Sequence, residues 1–115
     1  MSLDVTLSVE VDTGGQEPHV VELYRANITH NLNSMAMEAG IYECVWRPEE
    51  CGITQAGQLI EPLRAGIALM KSDPARFKKH NASNGWGTYG DFVPWLEQYL
   101  EACEKHPKAR VEAWR

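Results

Sequence analysis

Residues 3–12 read LDVTLSVEVD, an uninterrupted alternation of apolar and polar side chains. A period of two over ten residues is typical of a β-strand with one buried face. The turn-forming residues 13–18, TGGQEP, end this strand. Residues 20–26 are rich in β-forming side chains, so we expect a second strand that forms a hairpin with the first.

The middle of the chain has helical spacing. Thr29 is expected to cap a short helix that ends at Gly40, and a short apolar segment, 41–46, continues to Pro48. Thr54 is expected to cap a second helix, in which Pro62 predicts a kink or a late start. The apolar face of that helix is Leu59, Leu63, Ile67 and Met70.

Two further helix starts are visible. Asp73 followed by Pro74 predicts a capped short helix, and Thr88 with Asp91 three residues later predicts the start of the third main helix. Pro94 lies inside this third helix, and we expect that the glycine four residues earlier, Gly90, eases crowding around its ring. The expected buried stripe is Phe92, Leu96, Tyr99, Leu100 and Cys103.

His106-Pro107 ends the third helix, and residues 109–114 alternate again as a final strand. The order β-β-α-α-α-β separates strands from helices, which indicates an α+β fold. Because an isolated strand is unstable, the last one is expected to pair with the hairpin. The sequence therefore predicts one domain over 1–115, with a three-stranded sheet covered by helices on one face.

The alternation also predicts which residues lie on the open face of the sheet. If Val21 and Leu23 face the helices, Tyr24 faces outward, and the last strand sends its polar positions outward in the same way. Large aromatic side chains on such a face suit a protein–protein contact, and a two-fold dimer is the simplest one. The interface candidates are Tyr24, Arg110, Glu112 and Trp114.

The formal charge is −5, with 16 acidic and 11 basic residues. Nucleic-acid-binding proteins usually carry a basic surface, so a nucleic-acid partner is not expected. Residues 71–79 are locally basic, which is typical of a solvated turn and is also compatible with an anion site. Acidic residues spaced like phosphates would indicate a DNA mimic, but the first hairpin has too few.

Three cysteines, Cys44, Cys51 and Cys103, form no metal-binding or redox spacing. An odd and sparse number favours free thiols in a reducing compartment. The chain shows no signal peptide and no apolar stretch of membrane-spanning length. We therefore expect a cytoplasmic protein without membrane contact.

The densest polar cluster surrounds Asn27, His30 and Asn31, at the junction between the second strand and the first helix. The pattern favours side chains that only cap the helix and satisfy the turn; an anion site or a histidine acid–base is the alternative. His80 and Trp86, the latter between Gly85 and Gly87, are further ligand-binding candidates; Trp86 is alternatively a core residue. No nucleotide-binding, metal-binding or nucleophile motif occurs, so no cofactor, metal or catalytic residue is assigned.

Four segments resemble a group of small uncharacterised proteins from phages and prophages. They are Asn27–Leu32, Glu38–Tyr42, Trp46–Glu50 and Asn84–Tyr89. The resemblance would cover residues 20–115 and implies a cytoplasmic protein of phage or prophage origin. It implies no activity and no catalytic residue.

The leading functional hypothesis is a phage-derived accessory protein that acts as a protein–protein interaction module without catalytic activity. The alternative is a small ligand-binding domain or enzyme that uses the Asn27–Asn31 junction with His80 and Trp86. A concave pocket that holds His30, His80 and Trp86 together would favour the alternative.

Overall fold

The computed structural model describes Ser2–Arg115 and shows an α+β architecture. The strands are β1 (Ser2–Val11), β2 (His19–Thr29) and β3 (Arg110–Trp114). The helices are α1 (Asn33–Glu38), α2 (Tyr42–Trp46), α3 (Ile60–Ser72), α4 (Pro74–Lys78) and α5 (Tyr89–Lys105), with 3-10 turns at His30–Leu32, Pro48–Cys51 and Ala56–Leu59.

The three strands form one antiparallel sheet in the order β2-β1-β3. β1 is the central strand because the hairpin pairs it with β2 while β3 returns to its other edge. Leu3, Val5 and Leu7 are fully buried beneath the helices. The expected fold class, the hairpin and the returning C-terminal strand are therefore confirmed.

A β-bulge at Leu23 corrects the expected faces of β2. Leu7 pairs with Tyr24 but Ser8 pairs with Glu22, so Leu23 is an extra residue on that strand. An extra residue reverses the alternation on one side of the bulge. Tyr24 therefore faces the core and stacks on Tyr99 with ring centroids 5.9 Å apart. Its expected position on the open face was wrong.

The open face of the sheet is mainly polar. Arg110, Glu112 and Trp114 pair with Ser8, Thr6 and Asp4 of β1 and share this face, as expected. Long charged side chains on both edge strands cover the small central residues, so that Thr6 is only 3% exposed. With Tyr24 turned inward, Trp114 is the one aromatic side chain of this face within residues 2–115.

The predicted helix starts are partly right. Thr88 accepts a hydrogen bond from the Asp91 amide (3.2 Å) and caps α5 as expected. Gln55 replaces the expected Thr54 cap and caps the 3-10 turn Ala56–Leu59 that leads into α3. The Gln55 side chain accepts from the Gln58 amide, and the Gln58 side-chain oxygen accepts in return from the amides of Thr54 (2.8 Å) and Gln55 (2.9 Å). α3 begins only two residues before Pro62, which is the late start that the proline predicts.

Two other expectations about helices were wrong. α4 does begin at Pro74, but the Asp73 side chain makes no capping hydrogen bond. A Cβ atom built on Gly90 would have only the Thr88 hydroxyl within 4 Å, at 3.8 Å. Nothing of the Pro94 ring lies that close, so the missing side chain of Gly90 does not relieve the proline.

A chain of stacked and edge-on aromatic rings crosses the core. Neighbouring centroids lie 5.6–6.2 Å apart. This aromatic chain connects β2 to α5 and α5 to α2. Its members, in spatial order, are Tyr24, Tyr99, Trp95, Phe92, Trp46 and Tyr42.

All three cysteines are free thiols, but only Cys51 is exposed. Burial raises the pKa of Cys44 to about 11 and that of Cys103 to about 12. Because the thiolate is the reactive form, we predict that iodoacetamide at about pH 8 modifies Cys51 alone in the folded protein. Mass spectrometry should find three modifications after denaturation without reductant. Rapid labelling of Cys103 in the folded state would contradict the burial of its thiol.

Gly66 lies where α3 passes closest to Ile41. A Cβ atom at Gly66 would stand 2.5 Å from the Cγ2 atom of Ile41, a side chain that is only 2% exposed and has little room to move. We predict that Gly66→Ala lowers the free energy of unfolding by about 1–3 kcal/mol, despite the better helix propensity of alanine. Chemical denaturation measures this loss. Gly90→Ala is the matched control and should leave stability unchanged or raise it by up to about 1 kcal/mol.

Candidate functional site

A groove of about 720 Å³ lies where the end of β2 meets the loop before α5. It brings together Asn27, Asn31 and Trp86, three of the five ligand-binding candidates. Ser2, Asn84 and Asp91 also line it. Sequence analysis did not assign these three, because their approach to the junction depends on long-range folding.

The loop that carries Trp86 is fixed by hydrogen bonds on both sides of the residue. The Trp86 amide donates to the Asn84 side-chain oxygen (2.9 Å), and Asn31 donates from Nδ2 to the Trp86 carbonyl (2.9 Å). The Ala82 amide also donates to the Gly87 carbonyl (3.1 Å). The indole itself is 72% exposed. The sequence pattern favoured a core position for Trp86, and this was wrong: its backbone is held by hydrogen bonds while its ring faces solvent.

Gly87 explains why the loop can approach the junction so closely. Its φ of +106° is rarely adopted by other residues, and it is buried. A Cβ atom at this position would lie 3.0 Å from Thr29 Cγ2, 3.2 Å from Asn31 Cβ and 3.3 Å from Leu32 Cγ. The glycine after the tryptophan is thus required for both its conformation and its packing.

The side of the groove formed by β2 is held by Asn27. Its Nδ2 donates to Ser2 Oγ and to Asp4 Oδ1, both at 2.9 Å. Its backbone carbonyl accepts from Trp95 Nε1 at 3.1 Å. The NH₂ groups of Asn27 and Asn31 are therefore engaged in structural contacts, but with side chains of β1 and with the Trp86 loop, and not with the turn that they were expected to satisfy. The Oδ1 atoms of Asn27 and Asn31 accept no hydrogen bond from residues 2–115 and remain available to a ligand.

The charge of the groove favours a neutral or cationic ligand over an anion. Asp91 lines it, and no lysine or arginine among the described residues does. Thr29 caps the following 3-10 turn by accepting from the Asn31 amide (3.2 Å), as expected. That turn is only three residues long, His30–Leu32, so it offers no helix dipole for an anion.

The two candidate histidines, His30 and His80, lie outside the groove. His30 Nδ1 accepts a hydrogen bond from Trp46 Nε1 at 3.0 Å. His80 Nε2 lies 3.5 Å from Glu38 Oε1, beside Arg76, which is 2.9 Å from the other carboxylate oxygen. Arg76, and secondarily His80, lower the pKa of Glu38. His30, His80 and Trp86 do not share one pocket, so the condition that would favour the ligand-binding alternative is not met. An acid–base role for either histidine beside Trp86 has no structural support.

Acidic and aromatic neighbours engage the basic residues of 71–79. Lys71 contacts Glu97 at 2.8 Å, Arg76 contacts Glu38, and the Lys78 ammonium lies 5.5 Å from the centre of the Tyr89 ring. This arrangement matches a solvated surface turn and does not favour the anion site. Within residues 2–115, no three His, Cys, Asp or Glu side chains are grouped to hold a metal ion.

Comparison of the chain with protein-family models, curated proteins and solved structures finds no match. Among the helices that the structure describes, none has the length and apolar character needed to cross a bilayer.

We predict that Gly87→Ala releases the Trp86 loop and lowers the free energy of unfolding by about 2–4 kcal/mol, since it combines a strained φ with overpacking. Hydrogen exchange should then become faster at the amides of residues 82–87. Gly85→Ala is the matched control: its φ is +77°, but nothing lies within 4 Å of the added carbon. It should cost only about 1 kcal/mol, and equal losses in the two variants would contradict the close packing of Gly87.

Proposed function

We propose that this chain is a protein–protein interaction module whose binding site is the groove at Trp86. This proposal is carried by one observation. The Trp86 indole is 72% exposed, although the backbone amide and carbonyl of the same residue are both hydrogen-bonded. Tryptophan is strongly enriched among residues that dominate the energy of protein interfaces. A fixed loop presents it without a large cost in conformational entropy on binding.

The groove chemistry defines the kind of segment that would bind. The exposed indole offers an apolar face that also attracts cations. Asp91 and the Oδ1 atoms of Asn27 and Asn31 are hydrogen-bond acceptors without a donor from residues 2–115. We therefore propose a partner segment that places an apolar side chain on Trp86 and a lysine or arginine beside Asp91.

A phage or prophage origin and a cytoplasmic location are part of this proposal. The origin rests on the sequence resemblance of the segments around the junction and the Trp86 loop. The location is supported by three free thiols, two of them buried where no disulfide links them.

The proposal is tested with a displayed library of random peptides selected on the unmodified protein alone, and the enriched peptides are then measured on the Trp86→Ala variant. We predict enriched peptides that combine a basic and an apolar residue. Trp86→Ala should weaken their binding about 30-fold or more, the effect of losing about 2 kcal/mol at an interface hot spot. Fluorescence anisotropy of a labelled peptide measures the dissociation constant.

Trp114→Ala is the matched control, because Trp114 is also an exposed tryptophan but lies on the open face of the sheet. It should leave the affinity unchanged. Asp91→Asn, which retains the backbone capping contact with Thr88, should weaken only peptides with a basic residue. Equal binding of the selected peptides to the protein and to Trp86→Ala would refute the site.

A small neutral ligand is the second candidate, favoured by the size of the groove, which falls in the range of small-molecule sites. The same titrations distinguish it. A small polar molecule that perturbs the fluorescence of Trp86 and competes with no peptide would favour this function over a protein partner.

A further inference from the structure

The tip of the β1–β2 hairpin projects beyond the rest of the molecule. β3 pairs with β1 only from Asp4 to Ser8, so beyond Ser8 the sheet has just two strands. Every residue from 10 to 20 is exposed. The chain measures 53 × 27 × 23 Å, and its radius of gyration of 15.0 Å exceeds the ~13 Å typical of a compact domain of this length. We call residues 9–22 the arm.

The arm exposes apolar side chains. Val11 is 44% exposed and Val20 is 57% exposed, on opposite faces of the two strands. At the root of the arm, the bulge residue Leu23 is 37% exposed. A two-stranded hairpin is marginally stable in water without further packing, so these residues indicate a surface that another chain covers.

A second apolar surface with basic residues lies at the root of the arm. A groove of about 280 Å³ runs between Leu23 and Tyr24 of β2 and the end of α5, where Lys105 and His106 line it. The chain continues from there through Lys108 to Arg110. We call residues 105–110 the base. Lys108 forms no ion pair with residues 2–115. Lys105 contacts the exposed Glu101 (3.1 Å), which also lines the groove, and Arg110 contacts Glu112 (3.4 Å).

The arm and the base carry opposite charges. The arm contains Glu10, Asp12, Glu17 and Glu22 and no lysine or arginine; Glu22 is paired with Arg25 just outside the arm (2.8 Å), so the other three carry its uncompensated charge. The base contains Lys105, Lys108 and Arg110 and no acidic residue. Both surfaces combine this charge with uncovered apolar area, which makes each a suitable partner for the other.

We propose that two copies of this chain form a two-fold dimer in which the arm of each copy packs on the base of the other. Geometry favours a second copy over contact within one chain, because Arg110 pairs with Ser8 at the root of the arm and the arm extends away from it. A two-fold axis brings each arm to the opposite base and buries both contacts at once. The acidic arm would repel a nucleic acid or an anionic membrane.

The test uses two variants with reversed charges. The arm variant is Glu10→Lys with Glu17→Lys, and the base variant is Lys105→Glu with Lys108→Glu. We predict that the unmodified protein sediments as a dimer at about 50 mM salt and dissociates towards about 500 mM, as charge screening grows. Each variant alone should lose at least ~10-fold in association constant, because the net charge of the arm changes from −4 to 0 in one variant and that of the base from +3 to −1 in the other, which removes the attraction in both contacts.

Mixing the two variants should restore a one-to-one heterodimer. One contact then keeps the original acidic arm and basic base, and in the other the two introduced lysines of the arm face the two introduced glutamates of the base. The matched control is Glu43→Lys with Glu61→Lys, which makes the same charge change on exposed helix positions and should leave the dimer intact. Circular dichroism verifies that each variant is folded.

Two results would overturn the dimer model. One is a monomeric unmodified protein at low salt and about millimolar concentration. The other is a mixture of arm and base variants that stays monomeric while the unmodified protein dimerises. Trp86→Ala should dimerise normally, so this test is independent of the peptide-binding site.

Discussion

The aromatic chain across α5 is the contact on which the rest of the structure depends. Each such ring buries about 150–250 Å² and adds a geometric preference that aliphatic side chains lack. Both of its tryptophans use their indole N–H groups at the junction that forms the groove: Trp46 donates to His30 Nδ1, and Trp95 donates to the Asn27 carbonyl. The residues that flank the binding groove are thereby attached to the core from two directions.

Much of the fold could be predicted because its signals are local. The alternation over residues 3–12 determines the buried face of β1, and Thr88 with Asp91 marks the start of α5. No glycine or proline marks the bulge at Leu23. Its sequence signal is a change of phase, from apolar Val21 and Leu23 to apolar Tyr24, Ala26 and Ile28, and the sequence analysis followed only the first phase. The contacts that favour the bulge are made with other elements: Tyr24 pairs with Leu7 of β1, and its ring stacks on Tyr99 of α5. One extra residue was enough to transfer Tyr24 from a supposed interface to the core.

The helix caps and the candidate site were harder to predict for a related physical reason. Thr54 and Asp73 are good capping residues, but a cap also needs the following amides to be near its oxygen. Before α3, the side chain of Gln55 supplies that oxygen, and Asp73 makes no capping hydrogen bond. In the same way, His30 and Asn31 are neighbours in sequence, but their side chains point to different parts of the structure. Asn31 binds the Trp86 loop, while the imidazole of His30 accepts from a buried indole.

The four tryptophans show why composition alone is a weak guide to function. Trp46 and Trp95 pack within the aromatic chain, and both of their indole N–H groups donate hydrogen bonds. Trp86 has its backbone, and not its ring, packed against the protein, because buried Gly87 approaches the junction more closely than any side chain could. The sequence Gly85-Trp86-Gly87 therefore separates two requirements. The glycines make a rigid backbone possible, and this rigidity leaves the largest apolar side chain free for a partner at little entropic cost.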